Sequence, residues 1–282
     1  MVLKRATSKN NYQKPEQMPD VNECSFYHAI DLPGYGLMKG LWDLREGLDS
    51  YIGHINVRNK SFFDIGTANG FICFEMEKRG SAVTAWDLSE NDDADIVPWE
   101  AKTDNHTMRQ RTINIKKNNN AFWLSHNLFH SHAKLFYGSV YTIPSDLGPF
   151  DISFFGCILL HLRDPFLALQ KAAAITKETI IVTDVVSPGF IFYDQTLKSK
   201  IKSKMQIAVH HLNEYFGFKP IIFAPNPKTK QNDYIWWYFS PKTIATYLKV
   251  LGFDQTSISY HYQKFLLNDS HMFLYTVVAK KS

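Results

Sequence analysis

Short apolar segments alternate along the chain with segments in which apolar residues recur at helical spacing. The apolar segments predict buried strands at residues 61–65, 82–88, 134–141, 150–159 and 179–186. The segments between them predict helices at 69–79, near 121–129 and from Pro165 onward. Because strands separated by helices form a mostly parallel sheet covered on both faces, the pattern predicts a doubly wound α/β fold.

Capping residues mark the start of two of these helices. Asp164 and Ser240 each precede a proline, and both residue types accept a hydrogen bond from a free backbone N–H group of a first helical turn. Two further strands, 255–261 and 272–279, are joined by a short loop, which predicts antiparallel pairing. The predicted fold is therefore Rossmann-like, with a mostly parallel sheet, a final antiparallel strand and helices on both faces.

Three segments depart from the alternation of strands and helices. Residues 1–22 lack periodicity and predict a flexible N-terminal arm. Residues 89–118 predict a long polar connection before the helix near 121–129. Residues 187–237 interrupt the rhythm and predict an insertion that caps a substrate site. The remaining chain, 23–282, is predicted to form one domain that includes this insertion.

The composition restricts the functional classes. The 282 residues carry a net charge of +4, with 45% hydrophobic and 21% charged residues, which is typical of a folded globular protein and not of a disordered chain. No segment approaches the roughly 18 apolar residues that cross a bilayer, and the polar N-terminus lacks the apolar core of a secretory signal. An odd number of cysteines (Cys24, Cys73 and Cys157) favours reduced thiols, so a cytoplasmic protein without membrane contact is expected.

Histidines cluster near the end of the predicted third helix. His126 and His130 share a helix face, and His132 follows closely. No third acidic or histidine ligand for the pair His126 and His130 is identifiable from the sequence, so we expect this pair on a solvated surface and no metal site.

The strongest local signal is the sequence DIGTANG, residues 64–70, between the first predicted strand and the first helix. Glycines let the backbone turn tightly, and a helix N-terminus offers free N–H groups to a ligand. Asp87 ends the next strand, about twenty residues beyond Gly66, where a carboxylate accepts hydrogen bonds from ribose hydroxyls. The pair predicts a nucleoside site, and a turn that serves only helix packing is the alternative. A dinucleotide site fits less well because Thr67 and Ala68 interrupt the three-glycine spacing, and a Walker phosphate loop is absent.

These motifs resemble those of the class I S-adenosylmethionine-dependent methyltransferases. DIGTANG matches their first motif except at Ala68, where a glycine is usual. The strings FYHAIDLPG (26–34), WDLR (42–45) and LLHLRDP (159–165) are similar to the subgroup that includes the bacterial tRNA wobble-uridine carboxymethyltransferase. The resemblance covers about residues 24–282 and implies S-adenosylmethionine, or its carboxylated form as in that tRNA enzyme, as the cofactor.

The resemblance also implies which residues bind this cofactor. It places a lid over the cofactor in the segment 23–55, and it places the binding residues at the carboxyl ends of the strands, where open α/β sheets bind ligands. In chain order they are Asp64, Gly66, Thr67 and Gly70 at the methionine end, Asp87 at the ribose, Leu88, Ser139 and Val140 at the adenine, and Gly156 and Cys157 beneath the sulfonium.

A methyl acceptor that carries a proton also requires a base. His161, after the fourth strand, is the candidate catalytic base because the ordinary pKa of histidine suits neutral pH, and a structural role in its loop is the alternative. Tyr27 and His28, in the lid segment, are further catalytic candidates, and simple packing is the alternative for both.

The candidate substrate-binding residues are charged or aromatic. Arg163 would bind a carboxylate or phosphate through two hydrogen bonds, or else form an ordinary salt bridge. Tyr193 lies in the predicted insertion, and Trp236 and Trp237 end it. The two tryptophan rings would enclose a cation or stack on a base, or else serve as a hydrophobic anchor, and Tyr193 would face the substrate from the inserted helix.

Three functions remain open from the sequence. Methyl transfer to a small molecule in an enclosed pocket is favoured by the 15% share of aromatic residues. A tRNA-modifying methyl- or carboxymethyltransferase is the first alternative, for which the four lysines from Lys198 to Lys204 are the main indication. A non-catalytic protein that binds S-adenosylmethionine is the second.

Overall fold

The computed structural model describes residues 14–15, 17–101, 105–186, 221–230 and 233–282. Most of the predicted N-terminal arm (1–13 and 16) lies outside the described residues. So does most of the predicted insertion (187–220 and 231–232), which includes Tyr193 and the four lysines.

The regular elements account for most of the described chain. The strands are β1 (Ile30–Leu32), β2 (Gly36–Met38), β3 (Trp42–Asp43), β4 (Ser61–Ile65), β5 (Ala82–Asp87), β6 (Lys134–Tyr137), β7 (Phe150–Gly156), β8 (Thr176–Val185), β9 (Ile221–Phe223), β10 (Trp237–Phe239), β11 (Gln255–Phe265) and β12 (Ser270–Lys280). The helices are α1 (Leu48–Tyr51), α2 (Phe71–Lys78), α3 (Asn105–Leu128), α4 (Pro165–Ala173) and α5 (Pro241–Val250).

Eight of these strands form one sheet in the order β3-β11-β12-β8-β7-β4-β5-β6. Strands β4 to β8 are parallel, whereas β12 runs antiparallel to both β8 and β11. The chain leaves β4 first toward β5 and β6, then returns to β7 on the other side of β4. This reversal is the switch point at which open α/β sheets bind their ligands. The predicted fold class is confirmed, and so is the antiparallel pairing of the last two strands.

Each face of the sheet packs against its own hydrophobic core. Phe62 and Phe154 belong to the core on one face, and their chain neighbours Phe63 and Phe155 belong to the core on the other. Successive side chains of a strand point to opposite faces, so a strand that is apolar throughout must be covered on both. All four rings are at most 1% exposed, and burial of each contributes about 1.5–3 kcal/mol.

The predicted helix starts are confirmed by their caps. The Asp164 side chain accepts a hydrogen bond from the Leu167 backbone N–H at 2.9 Å at the start of α4. Ser240 accepts from the Thr243 N–H at 3.2 Å at the start of α5. A proline occupies the first helical position in both, where its missing N–H removes no helical bond.

The prediction of a polar connection over residues 89–118 is wrong for its second half, because α3 already begins at Asn105. The helix was missed because its exposed early turns carry few apolar residues. Polar side chains hold it instead: the Asn119 amide donates to the Leu88 carbonyl and the Asn120 amide to the Glu23 carbonyl, each at 3.0 Å.

The histidines at the end of α3 differ from one another in burial. His130 is exposed, as expected, and so is His132. The expectation of a solvated surface is wrong for His126, which is 7% exposed and donates from Nε2 to the Ala133 carbonyl at 2.9 Å. Within the described ranges, no group of three potential metal ligands comes together. Nor does any helix in these ranges combine the length and the apolar character that a membrane crossing requires.

Candidate active site

A cavity of about 200 Å³ opens at the carboxyl ends of the parallel strands, at the switch point of the sheet. Its walls come from the strand ends, from one side of α3, from residues 93–95 and from Tyr234. The predicted site residues that line it are Tyr27, Gly66, Asp87, Leu88, Ser139, Val140, Gly156, Cys157 and His161.

The glycine turn after β4 forms the floor of this cavity. Gly66 has φ +81°, and a Cβ atom at this position would lie 2.6 Å from the Ile158 Cγ2 atom. Its backbone N–H donates to the Trp86 carbonyl at 2.8 Å. A side chain would therefore be strained in conformation and would also collide with Ile158, which lines the same cavity.

Asp87 is oriented by two backbone donors. One carboxylate oxygen accepts from the Ala68 N–H and the other from the Leu88 N–H, both at 2.7 Å. Burial raises the pKa of Asp87, and these two bonds together with the charge of Arg111 lower it in part. Each oxygen keeps a further lone pair, so the carboxylate can accept hydrogen bonds from a ligand in the cavity.

Asp64, Thr67 and Gly70 do not line the cavity. They lie behind the glycine turn that forms its floor. The Thr67 hydroxyl donates to Asp64 at 2.7 Å, and both residues are 2% exposed. Burial raises the pKa of Asp64 to about 7, against the lowering effect of this hydrogen bond. Gly70 precedes α2 with φ +82°, and its position is closed by the rings of Phe74 and Phe122.

Asn69 fastens the N-terminal segment to the glycine turn. Its amide oxygen accepts from the backbone N–H groups of Tyr27 and His28 at 3.1 and 2.8 Å, and its amide nitrogen donates to the His28 carbonyl at 3.1 Å. Tyr27 consequently forms part of the cavity wall, whereas His28 lies behind it, 5% exposed. Burial lowers the pKa of His28 to about 3, so the ring is neutral.

Two residues other than glycine adopt left-handed backbone conformations beside the cavity. Ala68 has φ +50° and Cys157 has φ +52°. Such conformations cost of the order of 1–2 kcal/mol for residues with a Cβ atom, and they concentrate at ligand sites. Burial raises the pKa of the Cys157 thiol well above its ordinary value, so this sulfur is not a thiolate nucleophile at neutral pH.

His161 is held in one tautomer by Tyr234. Its Nδ1 atom lies 2.5 Å from the Tyr234 carbonyl oxygen, which can only accept, so Nδ1 carries the proton. Nε2 therefore holds the lone pair of the neutral ring. Burial lowers the pKa of His161 to about 4, with a further contribution from the positive charge of Arg111 and against the effect of the Tyr234 hydrogen bond.

Arg163, Trp236 and Trp237 support the cavity from outside and do not line it. The Arg163 guanidinium lies over the Trp236 ring at 5.2 Å, and its backbone N–H donates to Asp95 at 2.7 Å. The Trp236 indole donates to the Asp95 carbonyl at 3.0 Å, and the Trp237 indole to the Arg163 carbonyl at 3.3 Å. Together these contacts fix the loop that carries Asp95.

Comparison with solved structures finds the same architecture in the N-terminal domain of EvdMO1. Its crystal structure in the presence of S-adenosylhomocysteine and D-fucose matches with a TM-score of 0.51 and 13% identity over 93% of each chain. A second structure of that domain, with S-adenosylhomocysteine bound, matches with a TM-score of 0.50 and 12% identity over 93% of each chain. The chain shares the Rossmann-like α/β fold of this domain. At these identities the likeness concerns the fold.

Weaker comparisons add no further assignment. A methyltransferase from Methanosarcina mazei that depends on S-adenosylmethionine matches with a TM-score of 0.47 and 15% identity, over 85% of this chain and 98% of that one. No family model matches the sequence, and no curated protein matches it.

The sequence did not indicate one wall of the cavity, which is a polar stripe along α3. Arg111, Asn114, Ile115 and Asn118 follow one another at helical spacing and all line the cavity. The spacing of the polar residues was the available signal, but a search for apolar periodicity passes over it. Tyr234 was also missed, because its contact with His161 spans 73 residues.

Several buried polar atoms of the cavity walls lack partners within the described part of the chain. They are the Arg111 Nε, the Asn118 Oδ1 and the Trp86 Nε1 atoms. Buried polar groups are rarely left unpaired in folded proteins. These atoms therefore fit a ligand that offers both hydrogen-bond donors and acceptors, as a nucleoside does.

Proposed function

We propose that this chain is a methyltransferase that uses S-adenosylmethionine and acts on a small-molecule acceptor. The observation that carries the proposal is the oriented Asp87 carboxylate beside the glycine turn, at the switch point of the sheet and in the wall of a cavity. This arrangement suits a nucleoside whose ribose is bound by the acid. The N-terminal domain of EvdMO1, which has the same fold and whose crystal structure contains bound S-adenosylhomocysteine, supports the same assignment.

Each part of the cavity has a place in this proposal. Asp87 accepts from the ribose hydroxyls, and Leu88, Ser139 and Val140 surround the adenine. Gly66, Gly156 and Cys157 lie where the methionine portion passes across the strand ends. Asn118 accepts a hydrogen bond from the nucleoside through its unpaired Oδ1 atom. Tyr27 closes the site from the N-terminal side.

The bound cofactor supplies an electrophilic methyl group, so the protein needs to align the acceptor and exclude water. For an acceptor with an O–H or N–H group, His161 takes the proton at Nε2. S-adenosylmethionine would supply its methyl group to the acceptor and leave as S-adenosylhomocysteine, and the proton of the acceptor would pass to Nε2 of His161. The Tyr234 carbonyl, which accepts from Nδ1, stabilises the imidazolium ion that results.

A small-molecule acceptor is favoured over tRNA by the charges around the cavity. Asp93, which is exposed, and Asp95 both line it, so the described residues around the cavity do not form the continuous basic surface that a long phosphate backbone needs. A tRNA substrate would require a coherent basic surface beside the cavity. If wild-type protein bound tRNA with a steep dependence on salt concentration, the tRNA alternative would take its place.

Binding of the cofactor is the first test of the proposed function. We expect wild-type protein to bind S-adenosylmethionine and S-adenosylhomocysteine in isothermal titration calorimetry, and not to bind NAD, because Thr67 and Ala68 interrupt the three-glycine spacing of a dinucleotide site. Production of S-adenosylhomocysteine in the presence of pooled small molecules then identifies the acceptor. Absence of cofactor binding would exclude the proposal, and binding without turnover on any acceptor would favour the non-catalytic alternative.

Replacing His161 with glutamine is expected to lower kcat by about 100- to 10,000-fold, since this is the usual contribution of a general base. S-adenosylhomocysteine affinity should stay unchanged. Because the pKa of His161 is lowered to about 4, the wild-type base is deprotonated from about pH 5 upward. Activity should therefore persist through pH 6.5 and fall only near pH 4, and stopped assays across this range would show it.

The exposed His130, two residues beyond the end of α3, provides the matched control for this measurement. His130→Gln should leave both kcat and the pH profile unaltered. Full activity of His161→Gln, with the wild-type pH profile, would assign His161 to the structure of its loop and not to catalysis.

A further inference from the structure

Among the described residues, Arg111 is the one arginine or lysine that lines the cavity. It lies on the polar stripe of α3 and is half-buried, and its Nε atom is fully buried without a hydrogen-bond partner in the described ranges. The face of the Tyr234 ring supports the guanidinium from one side, with the Cζ atom 5.3 Å from the ring centre. A guanidinium carries five N–H donors, so in this position it has donors that a ligand in the cavity can bind.

The carboxylates of the cavity do not neutralise Arg111 by contact. None of the ion pairs among the described residues includes it. Asp87 is occupied by the N–H groups of Ala68 and Leu88. Asp95 accepts from the Tyr141 hydroxyl and from the Arg163 N–H. A cation that is half withdrawn from water without a paired anion is unfavourable, unless a ligand supplies that anion.

Tyr234 connects Arg111 to the candidate base. Its ring forms a cation–π contact with the guanidinium, and its carbonyl oxygen accepts from Nδ1 of His161 and so orients that ring. The charge of Arg111 also lowers the pKa values of His161, Asp87 and Tyr27. Arg111 therefore acts electrostatically on the base, on the proposed ribose-binding acid and on the N-terminal wall, which surround the space left for the acceptor.

We propose that Arg111 binds an anionic group, a carboxylate or a phosphate, of the methyl acceptor. The inference rests on the proposed function and specifies its substrate class as anionic small molecules. Arginine pairs with either group through two parallel hydrogen bonds, which fix the orientation of the ligand as well as its position. The acceptor is thereby held with its nucleophile toward Nε2 of His161.

The test uses full-length protein saturated with S-adenosylhomocysteine, and aromatic probes that differ in charge. The probes are 4-hydroxybenzoate, phenyl phosphate and the neutral 4-hydroxybenzamide, each titrated by saturation-transfer NMR. We expect wild-type protein to bind one of the anions at least tenfold more tightly than the amide, and Arg111→Met to lose this preference. Arg109→Met, which removes an exposed arginine from the same helix, should retain it. Whichever anion is preferred identifies the group as a carboxylate or a phosphate.

Two results would overturn the inference. One is an equal affinity of wild-type protein for the anions and the amide, or an equal loss in the Arg109 variant. The other is a weakened affinity of Arg111→Met for S-adenosylhomocysteine but not for 5′-methylthioadenosine, which lacks the amino acid portion, because Arg111 would then bind the carboxylate of the cofactor. Failure of the proposed function is distinct from both, since wild-type protein would then not bind S-adenosylhomocysteine at all.

Discussion

Replacing Asp87 with asparagine should weaken the binding of S-adenosylhomocysteine by roughly 100-fold, measured by isothermal titration calorimetry at pH 7.5. Hydrogen bonds to a charged acceptor contribute about 1.5–3 kcal/mol each, and a ribose offers two hydroxyls to this carboxylate. The asparagine side chain keeps only one acceptor oxygen. Its amide nitrogen would face the N–H group of Ala68 or of Leu88, both of which Asp87 now accepts. The variant therefore loses a ribose contact and also places two donors against each other at the floor of the cavity.

Asp93 provides the matched control, because it carries the same charge, lines the same cavity and is exposed. Asp93→Asn should change the affinity by less than about twofold, as expected for a solvated charge. The far-ultraviolet circular dichroism of both variants should match that of wild-type protein. An Asp87→Asn variant that is folded and retains wild-type affinity would remove the ribose assignment, and the proposed function would lose its main support.

The parts of the fold that the sequence predicted well depend on local chemistry. Residues 61–65 form a strand with the predicted bounds, because an apolar run of that length before a glycine has few other stable conformations. The starts of α4 and α5 were predictable for a similar reason. Asp164 and Ser240 accept hydrogen bonds from N–H groups only three residues away, so both partners of the capping contact lie within one short stretch of sequence.

The features that the sequence did not reveal depend on contacts between distant segments. The early turns of α3 face a cavity and solvent, so they lack the apolar stripe by which a helix is recognised. The tautomer of His161 is set by a carbonyl 73 residues away. The left-handed conformation of Ala68 is likewise invisible in its residue type, because alanine seldom adopts it. The local sequence therefore predicted the glycine turn that forms the cavity floor, but not the wall that α3 forms.

Gly70→Ala should lower the free energy of unfolding by about 2–5 kcal/mol, measured by urea denaturation. Two effects contribute, since an L-residue at φ +82° costs about 1–2 kcal/mol and a methyl group forced into a packed core costs about 1–3 kcal/mol. The added Cβ atom would lie 2.5 Å from the Phe74 ring and 2.6 Å from the Phe122 ring. Neither ring can withdraw without opening the core between α2 and α3.

Gly34 separates the two effects, because it has φ +80° and no atom within 4 Å of the added Cβ position. Gly34→Ala should therefore cost only about 1–2 kcal/mol, the conformational part alone. The steric part should respond to the size of its neighbour: Gly70→Ala should cost less in a Phe122→Leu background than in wild-type protein, because the smaller side chain yields space to the methyl group. Equal costs at Gly34 and Gly70 would mean that backbone conformation alone requires glycine before α2, and no coupling with Phe122 would mean that α3 does not contribute to the cost. With coupling, the packing of α3 would be part of what requires glycine next to Asn69, whose amide oxygen accepts from the Tyr27 N–H in the cavity wall.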